Sequence, residues 1–158
     1  MPSTTAETFY DLGIRALEEQ ERQVSSLRAR TGTLVAAAAV AATLLAREVF
    51  AQRHPEGALE WLGSVLGVLG LAGVVAASVY LLRSHDLAFS VDARKAYRNA
   101  AEDGDLTVSA LQVGLAVAFA RTQARNQPTV SRMRVAFALA LGGVVAEIVG
   151  LATAAALA

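Results

Sequence analysis

The run from Trp61 to Leu82, WLGSVLGVLGLAGVVAASVYLL, holds twenty-two consecutive uncharged residues. Folded as a helix it is about 33 Å long, enough to cross the ~30 Å hydrocarbon of a bilayer. Two further apolar blocks flank it, Thr31 to Ala51 and Val135 to Ala158. A soluble helical bundle spreads its apolar residues at helical spacing between polar faces. Here they gather in blocks from which charge is nearly absent, although 18% of the chain is charged. The expected fold class is therefore all-α: an integral membrane protein of three transmembrane helices, forming a single membrane domain over residues 1–158. The spans read as a cytosolic helix over 6–30, crossings over 31–51, 59–82 and 135–158, and a cytosolic helical region over 83–134.

The amino-terminal segment is amphipathic. Tyr10, Ile14, Leu17, Val24 and Leu27 recur at three- and four-residue spacing, and Glu18, Glu19, Arg22 and Arg28 occupy the opposite face. Nothing between Glu18 and Thr31 breaks a helix, so it is expected to run straight into the first crossing, packed on its own cytosolic neighbours. A coiled-coil contact between subunits is the alternative, against which Glu21 interrupts the seam. The first crossing has sixteen uncharged residues, Thr31 to Ala46, before Arg47, whose stem can snorkel to the headgroups. The turn QRHPEGA, with Pro55 and Gly57, is short enough to join antiparallel helices as a hairpin. Phe50 and Trp61 then share an interface. No short apolar core with a small-residue cleavage site precedes the first block, which is expected to insert uncleaved.

In the central region Ser90 is positioned to cap a helix running through Ala101, with Gly104 as its stop and Asp105 capping the next. That next helix is expected from Leu106 to about Asn126, ending ahead of Pro128. Its apolar part, 106–120, reads as a cytosolic or membrane-lying amphipathic helix, or else as a fourth crossing. Charge placement decides between them. With three crossings, twelve of the fourteen basic residues collect on one side and only Arg47 and Arg53 on the other. The positive-inside rule then places the amino terminus in the cytosol and the carboxyl terminus outside, in the inner (plasma) membrane of the cell. A fourth crossing would move Arg121, Arg125, Arg132 and Arg134 outward.

Each crossing carries small residues on one face: Gly32, Ala36, Ala39, Thr43 and Ala46 in the first; Gly63, Gly67, Gly70 and Ala77 in the second; Ala136, Ala140, Gly143, Gly150 and Ala154 in the third. Such faces let backbones approach closely in lipid and imply a tight bundle, within one chain or between copies in a homo-oligomer. Glu147 lies on the third of these faces, near the middle of its block. A charged residue there costs about 2.5–3.5 kcal/mol on insertion scales, so Glu147 is expected to face protein or a water-filled space. It either lines a bundle interior or pore, or serves as a neutral acid bonded to a neighbouring helix.

Arg83, Arg94, Lys95 and Arg98 are the candidates for contact with lipid headgroups or another anion. His54 and His85 stand without a second ligand at metal spacing. The chain has no cysteine and a formal net charge of zero, which removes thiolate chemistry and any overall bias toward nucleic acid. No Gly-rich phosphate loop, nucleophile elbow or zinc-protease helix occurs, so neither an enzyme nor a cofactor is expected. The anticipated partners are the bilayer, further copies of the chain, and a protein subunit not identifiable from the sequence.

The join SLRARTGTLVAAAAVAATLL, Ser25 to Leu45, carries a charged helix through Arg-Ala into a small-residue crossing. It resembles the start of the Pycsar-effector and SLATT-type membrane domains of bacterial conflict systems, over roughly residues 6 to 100. The thirteen arginines against one lysine fit a bacterium with a GC-rich genome. The resemblance implies an oligomeric pore-forming or membrane-perturbing effector; a non-conducting structural or partner-binding subunit is the alternative. The third crossing goes beyond the family's two-crossing pattern, and no nucleotide-sensing domain is fused to it.

Overall fold

The computed structural model describes residues 5–52, 57–102 and 107–157, and among these residues every regular element is a helix. In chain order they are α1 Thr5–Gln52, α2 Ala58–Leu82, α3 Ala93–Glu102 and α4 Val108–Leu157. Two compact units are built from them: Met1–Ser25 with His85–Ser131, and Ser26–Ser84 with Arg132–Ala158. Among the described residues, α2 and the Val108–Ala156 stretch of α4 are long and apolar enough to cross a membrane.

Burial along α1 and α4 repeats every seven residues. Leu17, Val24, Thr31 and Ala38 are at most 3% exposed on α1, and Asn126, Met133, Ala140, Glu147 and Ala154 at most 1% on α4. A seven-residue period is that of helices packed knobs-into-holes along one seam. The amino-terminal seam accordingly passes through buried Gln20, and Glu21 is exposed beside it. The seam is continuous because it steps by three and four through position 20.

In the first unit the opening part of α1 lies parallel to the opening part of α4. Phe119 fills the space over Gly13, where an added Cβ would come within 3.0 Å of the Phe119 Cβ. The same ring tilts at 54° to Tyr10, with centroids 5.8 Å apart, an arrangement that aromatic pairs favour. In the second unit α2 runs antiparallel to α4: Gly63 meets Ala154, Gly67 meets Leu151 and Gly70 meets Glu147.

Three local expectations are corrected. The helix expected to end ahead of Pro128 continues through it to Leu157, so residues 108–120 open a single helix of 50 residues. Pro128 withholds the amide that the Ala124 carbonyl would accept. Ala124 is exposed, so that carbonyl is open to water, while the adjacent Gln123 carbonyl accepts a bond from Gln20 Nε2 at 3.3 Å. Packing at Asn126 and Val130, both 1% exposed, holds the helix through a residue that local propensity alone would make a stop.

The cap of α3 is Asp92 and not Ser90, because the Asp92 Oδ1 accepts the Arg94 N–H at 2.9 Å. Carboxylates one residue ahead of a helix are strong acceptors for its second amide. Thr107 caps α4 in the same way, its Oγ1 accepting Ala110 N–H at 3.2 Å; Gly104 and Asp105 lie outside the described residues. On α1 the expected small-residue face is not the packed one. Gly32, Ala36, Ala39 and Thr43 are exposed, and Thr31 and Ala38 are buried instead. Where nearly every position is Ala, Gly or Thr, small size marks no unique face, and the seven-residue period chooses.

Candidate functional site

The second unit is organised around contacts that only glycine permits. A Cβ built on Gly70 would lie 2.5 Å from the Glu147 amide nitrogen and 2.6 Å from the Gly143 carbonyl oxygen. One on Gly63 would lie 2.8 Å from the Gly150 carbonyl oxygen, and one on Gly67 would lie 2.7 Å from Leu151 Cγ. From the α4 side, a Cβ on Gly150 would meet Gly67 N at 2.5 Å, and one on Gly143 would meet the Gly70 carbonyl at 2.9 Å. The two backbones are thus in direct contact over two turns, the approach that small residues make available where burial of large side chains gives no drive.

Glu147 sits inside this contact with 0% of its surface exposed. Both carboxyl oxygens are buried and neither has a hydrogen-bond partner among the described residues. The Ser78 hydroxyl on α2 is likewise buried and unpartnered. Other hydroxyls of this unit return their proton to their own helix: Thr31 to the Leu27 carbonyl at 2.7 Å, Thr43 to Ala39 at 2.7 Å, Ser64 to Glu60 at 3.0 Å and Thr153 to Val149 at 2.7 Å. Back-bonding of this kind hides a polar group on an apolar surface. At the start of α2 the Gly57 N–H donates to Glu60 Oε2 at 3.2 Å, placing a carboxylate at the positive helix end.

The outer surface of the same unit is apolar. Leu62, Leu69 and Val79 on α2, and Leu139, Val145 and Val149 on α4, are each more than half exposed. At the α2–α4 contact the inner face is glycine, while Val74, Leu81, Met133 and Leu151 are the large apolar residues buried in the unit.

The basic candidates fall in different places. Arg83 is the exposed C-cap of α2, its amide donating to the Val79 carbonyl at 3.0 Å. Arg94 and Arg98 are exposed on α3, in the other unit, and Arg98 approaches Glu102 at 4.0 Å. The Lys95 side chain and His54 lie outside the described residues. His85 is half-buried, and no group of three or more His, Asp or Glu side chains is placed to hold a metal among the described residues.

A polar cluster that the apolar pattern did not reveal lies in the first unit. Asn126 Nδ2 donates to the Ala88 carbonyl at 2.7 Å while its Oδ1 accepts the Ala88 N–H at 3.3 Å, so one amide side chain satisfies both backbone groups of one loop residue. The same Nδ2 reaches Gln20 Oε1 at 3.5 Å, and Gln20 Nε2 donates to Gln127 Oε1 at 3.2 Å. The signal was the seven-residue spacing of Asn126 from Met133, Ala140 and Glu147. No protein-family model, curated protein or solved structure matches this chain.

Proposed function

We propose that the chain is a three-crossing protein of the bacterial inner membrane that acts by self-association as a pore-forming or membrane-perturbing effector. The observation that carries the membrane reading is the close glycine contact of α2 with α4 beneath an outer surface of exposed leucines and valines. Water penalises that arrangement and lipid does not. α1 supplies the first crossing: Val40 and Leu44 are exposed on it, and Thr43 bonds back to its own helix. The gathering of twelve of fourteen basic residues supports a cytosolic amino terminus. The effector reading rests on the resemblance of the Ser25–Leu45 join.

Reporter fusions after Ala158 test the topology; a cytosolic carboxyl terminus refutes three crossings. Purified protein in dye-loaded liposomes tests the activity, with leakage expected to rise steeply with protein-to-lipid ratio. A specific observation favours the second reading, a non-conducting structural or partner-binding subunit: Glu147 is fully enclosed within one chain, so its carboxyl is not open to a path. Intact liposomes at every ratio, with the protein inserted, would select that reading.

A further inference from the structure

We propose that Glu147 is a proton-binding site enclosed by the α2–α4 contact, occupied while the helices are packed and exchanging its proton with water only when they separate. The inference needs the α2–α4 contact alone and holds whether or not the protein conducts.

Three observations converge on it. The side chain has no exposed surface, and both oxygens lack a partner. The α2 backbone is pressed against the α4 backbone at its base, since the space over Gly70 is taken up by Glu147 N and the Gly143 carbonyl. No described charge of the same unit stands near it along the helices. α2 carries only Glu60 and Tyr80 as titratable groups, each ten residues from Gly70, about 15 Å along the axis. On α4 the nearest charge is Arg134, thirteen residues or about 20 Å away, with Arg132 beyond it. On α1 the described charges of this unit are Arg28 and Arg30, which precede the buried Thr31 and Ala38; the Arg47 and Glu48 side chains lie outside the described residues.

An anion placed there would lose its hydration and gain neither a counter-charge nor a donor from the described residues, which strongly disfavours it. A bound metal cation would need further oxygen ligands, and no acidic or imidazole cluster gathers among the described residues. A proton needs only the carboxyl itself and cancels the charge. The contact and the proton therefore stabilise each other: packing excludes the anion, and neutralising the acid permits packing.

Infrared spectroscopy of the full chain in lipid nanodiscs tests this. At about pH 7.5 ordinary carboxyls are ionised, so a protonated-acid carbonyl band in the wild type that is missing in Glu147→Gln is the expected result. Transfer to deuterated buffer should shift that band slowly. Gly70→Ala, whose Cβ pushes on α4, should accelerate the shift about tenfold or more, as easier opening of a closed contact does. An ionised carboxylate at Glu147 in the wild type overturns the proposal, and the wild-type band alone decides this point if either variant fails to fold. Loss of the band on adding sodium or potassium would also overturn it, by showing a cation as the occupant. A shift complete within mixing time would refute the enclosure.

Discussion

The two units treat their buried amide and carboxyl side chains differently, although Thr31 of the second is buried and bonded to its own helix. In the first, Gln20 and Asn126 are at most 5% exposed and are bonded to each other, to Gln127 and to backbone at Ala88 and Gln123. In the second, Glu147 and the Ser78 hydroxyl are buried without a partner. Their outsides differ too. Glu18, Glu19 and Arg22 stand exposed on α1 of the first unit, while α2 of the second exposes Leu62, Leu69 and Val79. The same seven-residue period runs along α1 and α4 in both, so periodicity alone does not separate the two units. The size of the residues at the contact, and whether buried polar groups are bonded, do.

The largest effect should come from breaking the glycine contact. Gly70→Leu must displace the α4 backbone, and a cost of about 3 kcal/mol or more is expected, at the upper end of overpacking penalties. Thermal unfolding followed by circular dichroism in detergent measures it; a wild-type melt would mean that α2 and α4 do not touch there. Next is Asn126→Leu, which strips the Ala88 N–H and carbonyl of their partner at an expected cost of about 1–3 kcal/mol. Faster amide exchange at Ala88 should accompany the loss.

Glu147→Leu sharpens the contrast because no hydrogen bond is lost. Replacing a buried ionisable group by a hydrophobe of similar volume is often neutral or stabilising, so a change below about 1 kcal/mol is expected. If denaturation showed this variant to be weaker than Asn126→Leu, Glu147 would have a bonding partner and the two units would not differ in this respect. Smallest is Arg22→Ala. Arg22 lies 3.3 Å from Glu18 and 3.9 Å from Glu19 with its side chain 72% exposed. Solvent screens such pairs, and the melting curve should move by no more than about 0.5 kcal/mol.

The sequence made the second unit more legible than the first. Gly63, Gly67 and Gly70 stand out among leucines and valines, so their spacing singles out one face of α2, and Glu147 is conspicuous as the lone charge in its block. The α1 part of that same unit is the exception, since in TGTLVAAAAVAAT a small residue falls on every face. Pro128 misled because its local cost is large and the packing that offsets it joins residues distant in sequence. Gln20 and Asn126 went unread because a search for apolar periodicity treats a polar residue as an interruption, whereas here each occupies a seam position.

The parallel pairing in the first unit also imposes an order in time. Gln20 and Asn126 are separated by 106 positions, and a ribosome adding about 5–20 residues per second needs roughly 5–20 s to make the segment between them. During that interval Leu17, Gln20 and Val24 lack the partner strip on which they finally rest. The newborn amino-terminal helix is then a sticky, half-apolar surface beside other nascent chains. It is therefore during synthesis that pairing with the wrong copy has its longest opportunity, and a chain stalled before Asn126 retains that surface indefinitely.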